Sequence, residues 1–289
     1  MELHENKRRG VAVAEFIFLI ILWASTILLF CLIFRSRSIK EFWRKSSTLA
    51  IVFAFIFLNA VHQIIHFTSW TLYVSQASPS QIFGNAEPVF GITSISIQSF
   101  YDCFTIVLFV QRIAIIMDPA KNRRTYNRIL YGAATIACCS IFLWFIVAYS
   151  KVIDFSVNMV PAECYTLTCT NPFRVERSAL NARTALSITN VVVGIVFLVV
   201  FLSRKTIMRT NVAKVNQLTR VLFFERLFLE VIPLTVDSIF IAQTGVSIGL
   251  YIGPFGAIGC TTEAFCFVLV YYIVFKPPRK AGPGHSSTQ

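Results

Sequence analysis

Hydrophobic residues are grouped into seven long runs along the chain, and polar residues are concentrated in the shorter segments between them. A run of about 20 apolar residues is long enough to cross the hydrocarbon layer of a bilayer as a helix. Backbone polar groups cannot stay unpaired in lipid, so each run is expected to be helical. The pattern predicts an all-α membrane protein with a seven-transmembrane-helix bundle over residues 1–275 and a short tail over 276–289. The predicted helices cover residues 11–34, 47–74, 89–117, 129–150, 182–202, 221–242 and 247–275.

The positions of the basic residues predict how this bundle is oriented. Seven spans put the two ends of the chain on opposite sides of the membrane. One side carries 17 Lys and Arg residues in loops and tail, whereas the other carries 7, counting Arg183 at the start of the fifth helix. The side richer in Lys and Arg is expected to be cytoplasmic. The N-terminus is therefore predicted outside and the C-terminal tail in the cytoplasm, although Lys7, Arg8 and Arg9 argue locally against this orientation.

Composition and motifs do not alter the prediction of a seven-helix membrane bundle. The net charge of +12 would suggest nucleic acid in a soluble protein, but 56% of the residues are hydrophobic and the basic residues lie between apolar spans. We therefore expect a lipid bilayer around the chain and no nucleic-acid partner. The sequence contains no GxSxG, HExxH, P-loop or Rossmann glycine motif, which favours a protein that is not an enzyme and needs no cofactor.

Charged side chains inside the predicted spans are candidates for function, because burying a charge in a membrane is costly. The sixth span is the richest, with Glu225, Arg226, Glu230 and Asp237 around Pro233. Arg226 and Glu230 have the i, i+4 spacing at which helical side chains neutralise one another. Proline removes a helical hydrogen bond, so Pro233 is predicted to kink the helix and act as a pivot. Asp237 is predicted to lie in the outer half, where a pocket would open.

The third span carries further candidates. Arg112 lies at a depth where Glu225 of the sixth span could meet it, and such a pair would hold the inner ends of the two helices together until it breaks. Asp102 lies near mid-membrane. Glu263, midway along the seventh span, has two interpretations: it is a hydrogen-bonded core group, or it forms a polar centre with Asp102.

Histidine and cysteine residues form two further patterns. His62 and His66 are one turn apart, and histidines at this spacing can ligate a metal only with a third ligand. Two core histidines are therefore expected, and no metal is predicted. The predicted outer loop contains Cys164 and Cys169. Because the cell exterior is oxidising, a small disulfide between them is expected.

The predicted architecture has seven spans, an outside N-terminus, basic inner loops and a proline in the sixth span, and together these features resemble a G-protein-coupled receptor, although not one of the rhodopsin-like class. Ile113 follows Gln111-Arg112 where that class has Asp/Glu-Arg-Tyr, and the seventh span lacks Asn-Pro-x-x-Tyr. The chain more closely resembles the nematode serpentine chemoreceptors, and among them class BC. The stretches that carry this resemblance are Phe100-Tyr101-Asp102-Cys103-Phe104, Gln111-Arg112, Met117-Asp118-Pro119, Asn216-Gln217-Leu218-Thr219-Arg220, Phe224-Glu225-Arg226 and the short tail after Tyr271-Tyr272.

This resemblance implies a chemosensory receptor in the plasma membrane of a sensory cilium. Its expected partners are a small external molecule, a heterotrimeric G protein and, as an open alternative, a second receptor in a dimer. On depth alone, the ligand is predicted to bind at His66, Trp70, Gln98, Asp237 and Tyr251. The residues predicted to face the G protein are Arg123, Arg124, Arg204, Lys205 and Arg220.

Two other functions are compatible with seven spans. The first is a ligand-gated cation channel of the insect odorant-receptor type, which has the opposite orientation. The second is a transporter in which Asp102, Asp237 and Glu263 relay protons. The location of the two chain ends distinguishes the channel from the receptor, and proton-coupled uptake distinguishes the transporter from the receptor.

Overall fold

The computed structural model describes residues 2–36, 46–75, 81–118, 124–150, 177–204, 210–244, 248 and 255–275. Within these ranges the chain forms seven helices and no strand. Six are continuous: α1 (Glu2–Ser36), α2 (Ser47–Val74), α3 (Gln81–Met117), α4 (Arg124–Ser150), α5 (Arg177–Ser203) and α7 (Phe255–Phe275). The remaining helix, α6, has three parts: Thr210–Arg226 is α-helical, Leu227–Val231 is π-helical, and Ile232–Thr244 is α-helical again.

Each of the seven helices contains a segment that is long and apolar enough to cross a membrane. This finding confirms the all-α class and the seven spans, while the side that each end faces stays a prediction. The segments are Gly10–Arg35, Ser47–Val74, Val89–Met117, Arg124–Ala148, Thr184–Ser203, Lys214–Thr244 and Gly256–Phe275.

Several helices extend beyond the apolar runs that predict them. The prediction starts α3 at residue 89 and α6 at residue 221, whereas α3 starts at Gln81 and α6 at Thr210. Hydropathy marks where a helix enters lipid, and a helix can continue into polar sequence because its backbone hydrogen bonds do not depend on side-chain polarity. In α7 the described helix starts at Phe255, and most of the residues between 247 and 254 lie outside the described ranges.

The helices are arranged as a ring with one outlier. In the order α1, α2, α3, α5, α6, α7, each helix contacts the next one, and α7 contacts α1. Helix α4 packs on α3, which also touches α6. We refer to the end of the bundle where α1, α3, α5 and α7 finish as its C-terminal end. Helix α3 contacts α2, α4, α5 and α6, so side chains on α3 are well placed to connect the rest of the bundle.

Aromatic side chains fill much of the interior. The ring of Phe53 on α2 lies 5.2 Å from that of Phe267 and 4.8 Å from that of Tyr271, both on α7. A second cluster joins α3, α5 and α6. It consists of Phe109, Ile116, Phe197, Phe201 and Phe223. Gly194 on α5 lets α6 come close, because a Cβ there would overlap the Phe223 ring.

Helix α6 changes its hydrogen bonding directly before Pro233. The backbone N–H of Ile232 donates to the carbonyl of Leu227, which is the i to i+5 pattern of a π-helix. Pro233 has no N–H, so it cannot serve as the α-helical donor for the carbonyl of Leu229 four residues earlier. A Cβ added to Gly259 of α7 would overlap that carbonyl oxygen. The irregular turn of α6 therefore packs against a position of α7 where a side chain does not fit.

Candidate functional site: a buried ionic centre

Arg226 on α6 is surrounded by three carboxyl groups from three helices. Its Nη2 atom donates to Oδ1 of Asp102 on α3 and, at 2.6 Å, to Oε2 of Glu230 on α6 itself. Its Nε atom lies 3.9 Å from Oε1 of Glu263 on α7. Tyr101 on α3 completes the group, because its hydroxyl donates to the same Glu263 oxygen at 2.8 Å. We call these five residues the ionic centre.

Neutral groups support the ionic centre. The Nη1 atom of Arg226 donates to the Thr105 hydroxyl at 3.3 Å. The guanidinium carbon lies 4.8 Å from the centroid of the Tyr101 ring, which is within the range of a cation–π contact. On α5, the Asn190 amide donates to the backbone carbonyl of Asp102 at 3.3 Å. The position of Asp102 is thus fixed from α5 as well as from α6.

The ionic centre lies almost entirely out of solvent. Relative exposure is 1% for Asp102, 2% for Arg226, 6% for Glu230 and 2% for Glu263. Buried charges require partners, since their desolvation is expensive. One guanidinium faces three carboxyl groups here, so the geometry connects α3, α6 and α7 through a single cation.

Sequence reasoning identified part of this centre. The i, i+4 spacing predicts the contact between Arg226 and Glu230, which the structure shows. Asp102 and Glu263 were expected either as separate groups or as one polar centre, and the structure brings them to the same guanidinium. Tyr101 and Thr105 were missed. The signal that could have found them is their spacing around Asp102 on one face of α3.

A second polar network lies at the C-terminal end of the bundle. The guanidinium of Arg112 on α3 donates to the hydroxyl of Ser46, the N-cap of α2, at 2.7 Å. Glu225 on α6, the predicted partner of Arg112, is partly buried and its Oε2 atom has no hydrogen-bond partner. The described bond of Arg112 therefore links α3 to α2, and its pairing with Glu225 stays a prediction.

Hydroxyl groups continue this network from α2 to α4. The Thr48 hydroxyl donates to Gln111 at 2.6 Å. The one proton of the Thr48 hydroxyl is used in this bond, so Thr48 accepts from the Tyr131 hydroxyl of α4 at 2.7 Å. The Tyr131 proton is used in turn, so Tyr131 accepts from the Ser47 hydroxyl at 2.6 Å. The amide of Gln111 in turn donates to Asn127 at 3.1 Å. A directed chain of hydrogen bonds thus joins α2, α3 and α4.

Tyr131→Phe is expected to lower the thermal stability of the purified protein, because it removes two hydrogen bonds at once. At a net value of about 0.5–1.5 kcal/mol for each bond, the loss should be roughly 1–3 kcal/mol. The melting temperature in detergent measures the effect. Tyr126→Phe, also on α4, is the matched control, since no hydrogen bond of its hydroxyl is described. Equal melting temperatures for the two variants would contradict this role for Tyr131.

The structure describes contacts for three of the residues predicted to bind the ligand. The ring of His66 stacks on Phe90 of α3 with centroids 5.6 Å apart. Trp70 is fully buried against Phe16 of α1, at 6.4 Å between ring centroids. Asp237 accepts a hydrogen bond from the backbone N–H of Ile248 at 2.8 Å, just beyond the end of α6.

Gln98 is half-buried on α3, and Tyr251 lies outside the described residues. Ligand binding by these five residues stays a prediction.

The two histidines of α2 share an aromatic neighbour. Their ring centroids are 6.0 Å apart, and the Phe90 ring lies 6.0 Å from that of His62. In the part of the chain that the structure describes, no group of three or more His, Cys, Asp and Glu residues is placed to hold a metal ion.

The predicted G-protein-facing residues are partly described. Arg124 is the first residue of α4 and Arg204 follows α5, and both side chains are exposed. Arg220, predicted in a loop, instead lies within α6, with its guanidinium carbon 5.9 Å from the centroid of the Phe201 ring. Arg123, Lys205 and the expected disulfide pair, Cys164 and Cys169, lie outside the described residues.

Comparison with protein families, with curated proteins and with solved structures gives no match for this chain.

Proposed function

We propose that this protein is a chemosensory G-protein-coupled receptor, which binds a small external molecule and passes the signal to a heterotrimeric G protein. The observation that carries the proposal is the ionic centre, in which Arg226 of α6 connects to Asp102 of α3 and Glu263 of α7 within a seven-helix bundle. The resemblance to nematode serpentine chemoreceptors supports the same function. It also suggests the plasma membrane of a sensory cilium as the location.

The contacts of Arg226 suggest how the bundle switches. Glu230 lies on the same helix as Arg226, so this pair moves together when α6 moves. The bonds to Asp102 and Thr105 join α6 to α3, and these bonds must break when α6 separates from α3. A ligand favours the separated state if it binds that state more tightly than the joined state.

The irregular turn of α6 supplies the pivot in this scheme. It spans Leu227–Val231 and is followed at once by Ile232 and Pro233. A π-helical turn and a proline both weaken the regular hydrogen bonding of a helix, so bending is easiest there. The ionic centre lies directly beside this turn, because Glu230 belongs to it. Movement at the pivot and rupture of the bond between Arg226 and Asp102 are therefore coupled.

The C-terminal end of the bundle is the surface that we assign to the G protein. The exposed side chains of Arg124 and Arg204 lie there, and Lys205, Lys121 and Arg123 are close to them in sequence. This assignment requires that the C-terminal end face the cytoplasm, as the excess of Lys and Arg predicts.

Orientation and coupling test the proposal together. A tag on the N-terminus should be stained on intact cells, whereas a tag on the tail should be stained only after permeabilisation.

Membranes containing the receptor should accelerate nucleotide exchange on a heterotrimeric G protein when an active compound from a small-molecule screen is added. Arg124→Ala combined with Arg204→Ala should reduce this exchange without changing surface expression. Staining of the tail alone on intact cells would overturn the proposal in favour of the channel.

A proton-coupled transporter is the second candidate. The observation that favours it is the shared position of Asp102 and Glu263, two carboxyl groups buried around one guanidinium. Asp237, the third acid of that scheme, instead bonds to the backbone near the end of α6. Substrate uptake by liposomes that follows an imposed proton gradient would support this candidate.

A further inference from the structure

The charges of the ionic centre do not balance. Asp102, Glu230 and Glu263 would contribute three negative charges when ionised, whereas Arg226 contributes one positive charge, and all four are at most 6% exposed. A net charge of −2 in such a place is costly, and a buried carboxyl group that lacks a full countercharge takes up a proton instead. At least one of the three carboxyl groups should therefore carry a proton.

The distances indicate which carboxyl group is protonated. Asp102 and Glu230 both accept directly from Nη2 of Arg226. Glu263 is farther away, at 3.9 Å from Nε, and the hydrogen bond described for it comes from the neutral Tyr101 hydroxyl. Nε of Arg226 has no hydrogen-bond partner although it is buried, so the guanidinium does not use this donor on Glu263. Of the three carboxyl groups, Glu263 lies farthest from the guanidinium, so the proton is assigned to Glu263.

Other titratable groups also face this site. Glu263 is surrounded by Tyr101 and Asp102 of α3 and by Arg226 and Glu230 of α6. Cys103, the residue next to Asp102 on α3, interacts with it electrostatically and contacts the Cys138 thiol of α4. Helix α5 contributes the neutral amide of Asn190 at the backbone of Asp102. Arg226 is the cation among these groups, so its departure removes a positive charge from beside Asp102 and Glu263 and makes protonation of Asp102 more favourable.

We propose that the ionic centre is a proton-binding site: Glu263 holds one proton in the joined bundle, and Asp102 binds a second when α6 separates from α3. The second step rests on the proposed function, whereas the first does not. When α6 leaves, Arg226 and Glu230 depart as a neutral pair. Asp102 then forms one O–H bond with a proton from water, so its charge changes from −1 to 0. The separated state thus contains one more proton than the joined state.

The direction of the pH effect follows from this count. The state that binds more protons is favoured as the pH falls, so acid favours the separated, signalling state. For one proton the equilibrium shifts by at most about tenfold per pH unit. Basal signalling should therefore rise on acidification in the absence of any ligand.

The first step is tested by infrared spectroscopy of the full-length protein in lipid nanodiscs at pH 7. Wild type should show a carbonyl band of a protonated carboxyl group that shifts in D₂O, and Glu263→Gln should remove intensity from it. Asp118→Asn is the control, because this carboxyl group is exposed at the end of α3 and should not contribute. An unchanged band in Glu263→Gln would overturn the assignment. Since Gln resembles the protonated acid, this variant should also melt like wild type, and failure to fold would count against the proposal too.

The second step is tested by basal nucleotide exchange at several pH values, with both faces of the nanodiscs accessible and receptor-free nanodiscs as the blank. Wild-type exchange should rise by up to about tenfold per pH unit on acidification. Asp102→Asn should be high at neutral pH and nearly independent of pH. A flat wild-type profile in a receptor that still responds to its ligand would overturn the second step alone. Absence of exchange under every condition would instead contradict the proposed function and leave the infrared result standing.

Discussion

Arg226→Gln is expected to destabilise the folded protein strongly and to lower its amount at the cell surface. The substitution leaves Asp102, Glu230 and Glu263 buried around a neutral amide, which supplies no countercharge. Removing one partner of a buried ion pair costs about 3–5 kcal/mol, and proteins are stable by only about 5–15 kcal/mol in total. The measurement is the amount of receptor at the cell surface together with the melting temperature of any protein recovered.

Two further variants sharpen this test. Arg220→Gln removes a cation from the same helix, but Arg220 contacts the Phe201 ring instead of the ionic centre. It should lose only about 0.5–1 kcal/mol. Arg226→Gln combined with Asp102→Asn should recover part of the stability, because one of the carboxylates bonded to Arg226 is then replaced by a neutral amide. Arg226→Gln that melts like wild type, or a double variant no better than the single one, would contradict the role of Arg226 as the countercharge of the centre.

The seven spans could be predicted because their cause is local. Lipid offers no hydrogen bonds to the backbone, so a long apolar run has to be helical whatever its neighbours are. The ends of the helices were predicted less well, as the start of α6 at Thr210 shows. In that stretch the polarity of the sequence reports where the membrane ends, and it gives no information on where the helix begins.

The partners within the ionic centre could be predicted only where they are close in sequence. Arg226 and Glu230 are one helical turn apart, so their contact follows from helix geometry. Asp102 and Arg226 are 124 residues apart, and their contact depends on how α3 and α6 are rotated about their axes. Depth in the membrane, which the sequence does give, contains no information on that rotation.

The same limitation applies to the pairing of Arg112 with Glu225, which stays a prediction. Depth alone pairs Arg112 with Glu225, but adjacent residues on a helix point about 100° apart. Arg226, the neighbour of Glu225, is the residue of α6 that faces α3 in the ionic centre. The described bond of Arg112 goes to Ser46, which lies before the first residue of α2 and outside the apolar run. Hydropathy gave no reason to consider such a residue.

Gly259→Ala is expected to destabilise the bundle, although glycine and alanine differ by one methyl group. The added Cβ would overlap the backbone carbonyl oxygen of Leu229, so α6 and α7 would have to move apart. Overpacking of this kind costs about 1–3 kcal/mol. The melting temperature of the purified protein should fall accordingly, and surface expression should decrease with it.

Gly256→Ala is the matched control for this prediction, because no atom lies within 4 Å of a Cβ at that position on the same helix. Alanine favours a helix over glycine by about 0.5–1 kcal/mol, so Gly256→Ala should be as stable as wild type or slightly more stable. Pro233→Ala then tests whether the missing N–H of Pro233 causes the close approach of the Leu229 carbonyl to Gly259. It restores an N–H four residues after Leu229, which can draw the Leu229 carbonyl back into α6 and away from α7. In that background Gly259→Ala should cost less than it does in wild type. An equal cost in both backgrounds would mean that the missing N–H of Pro233 does not set the close approach of α6 to Gly259.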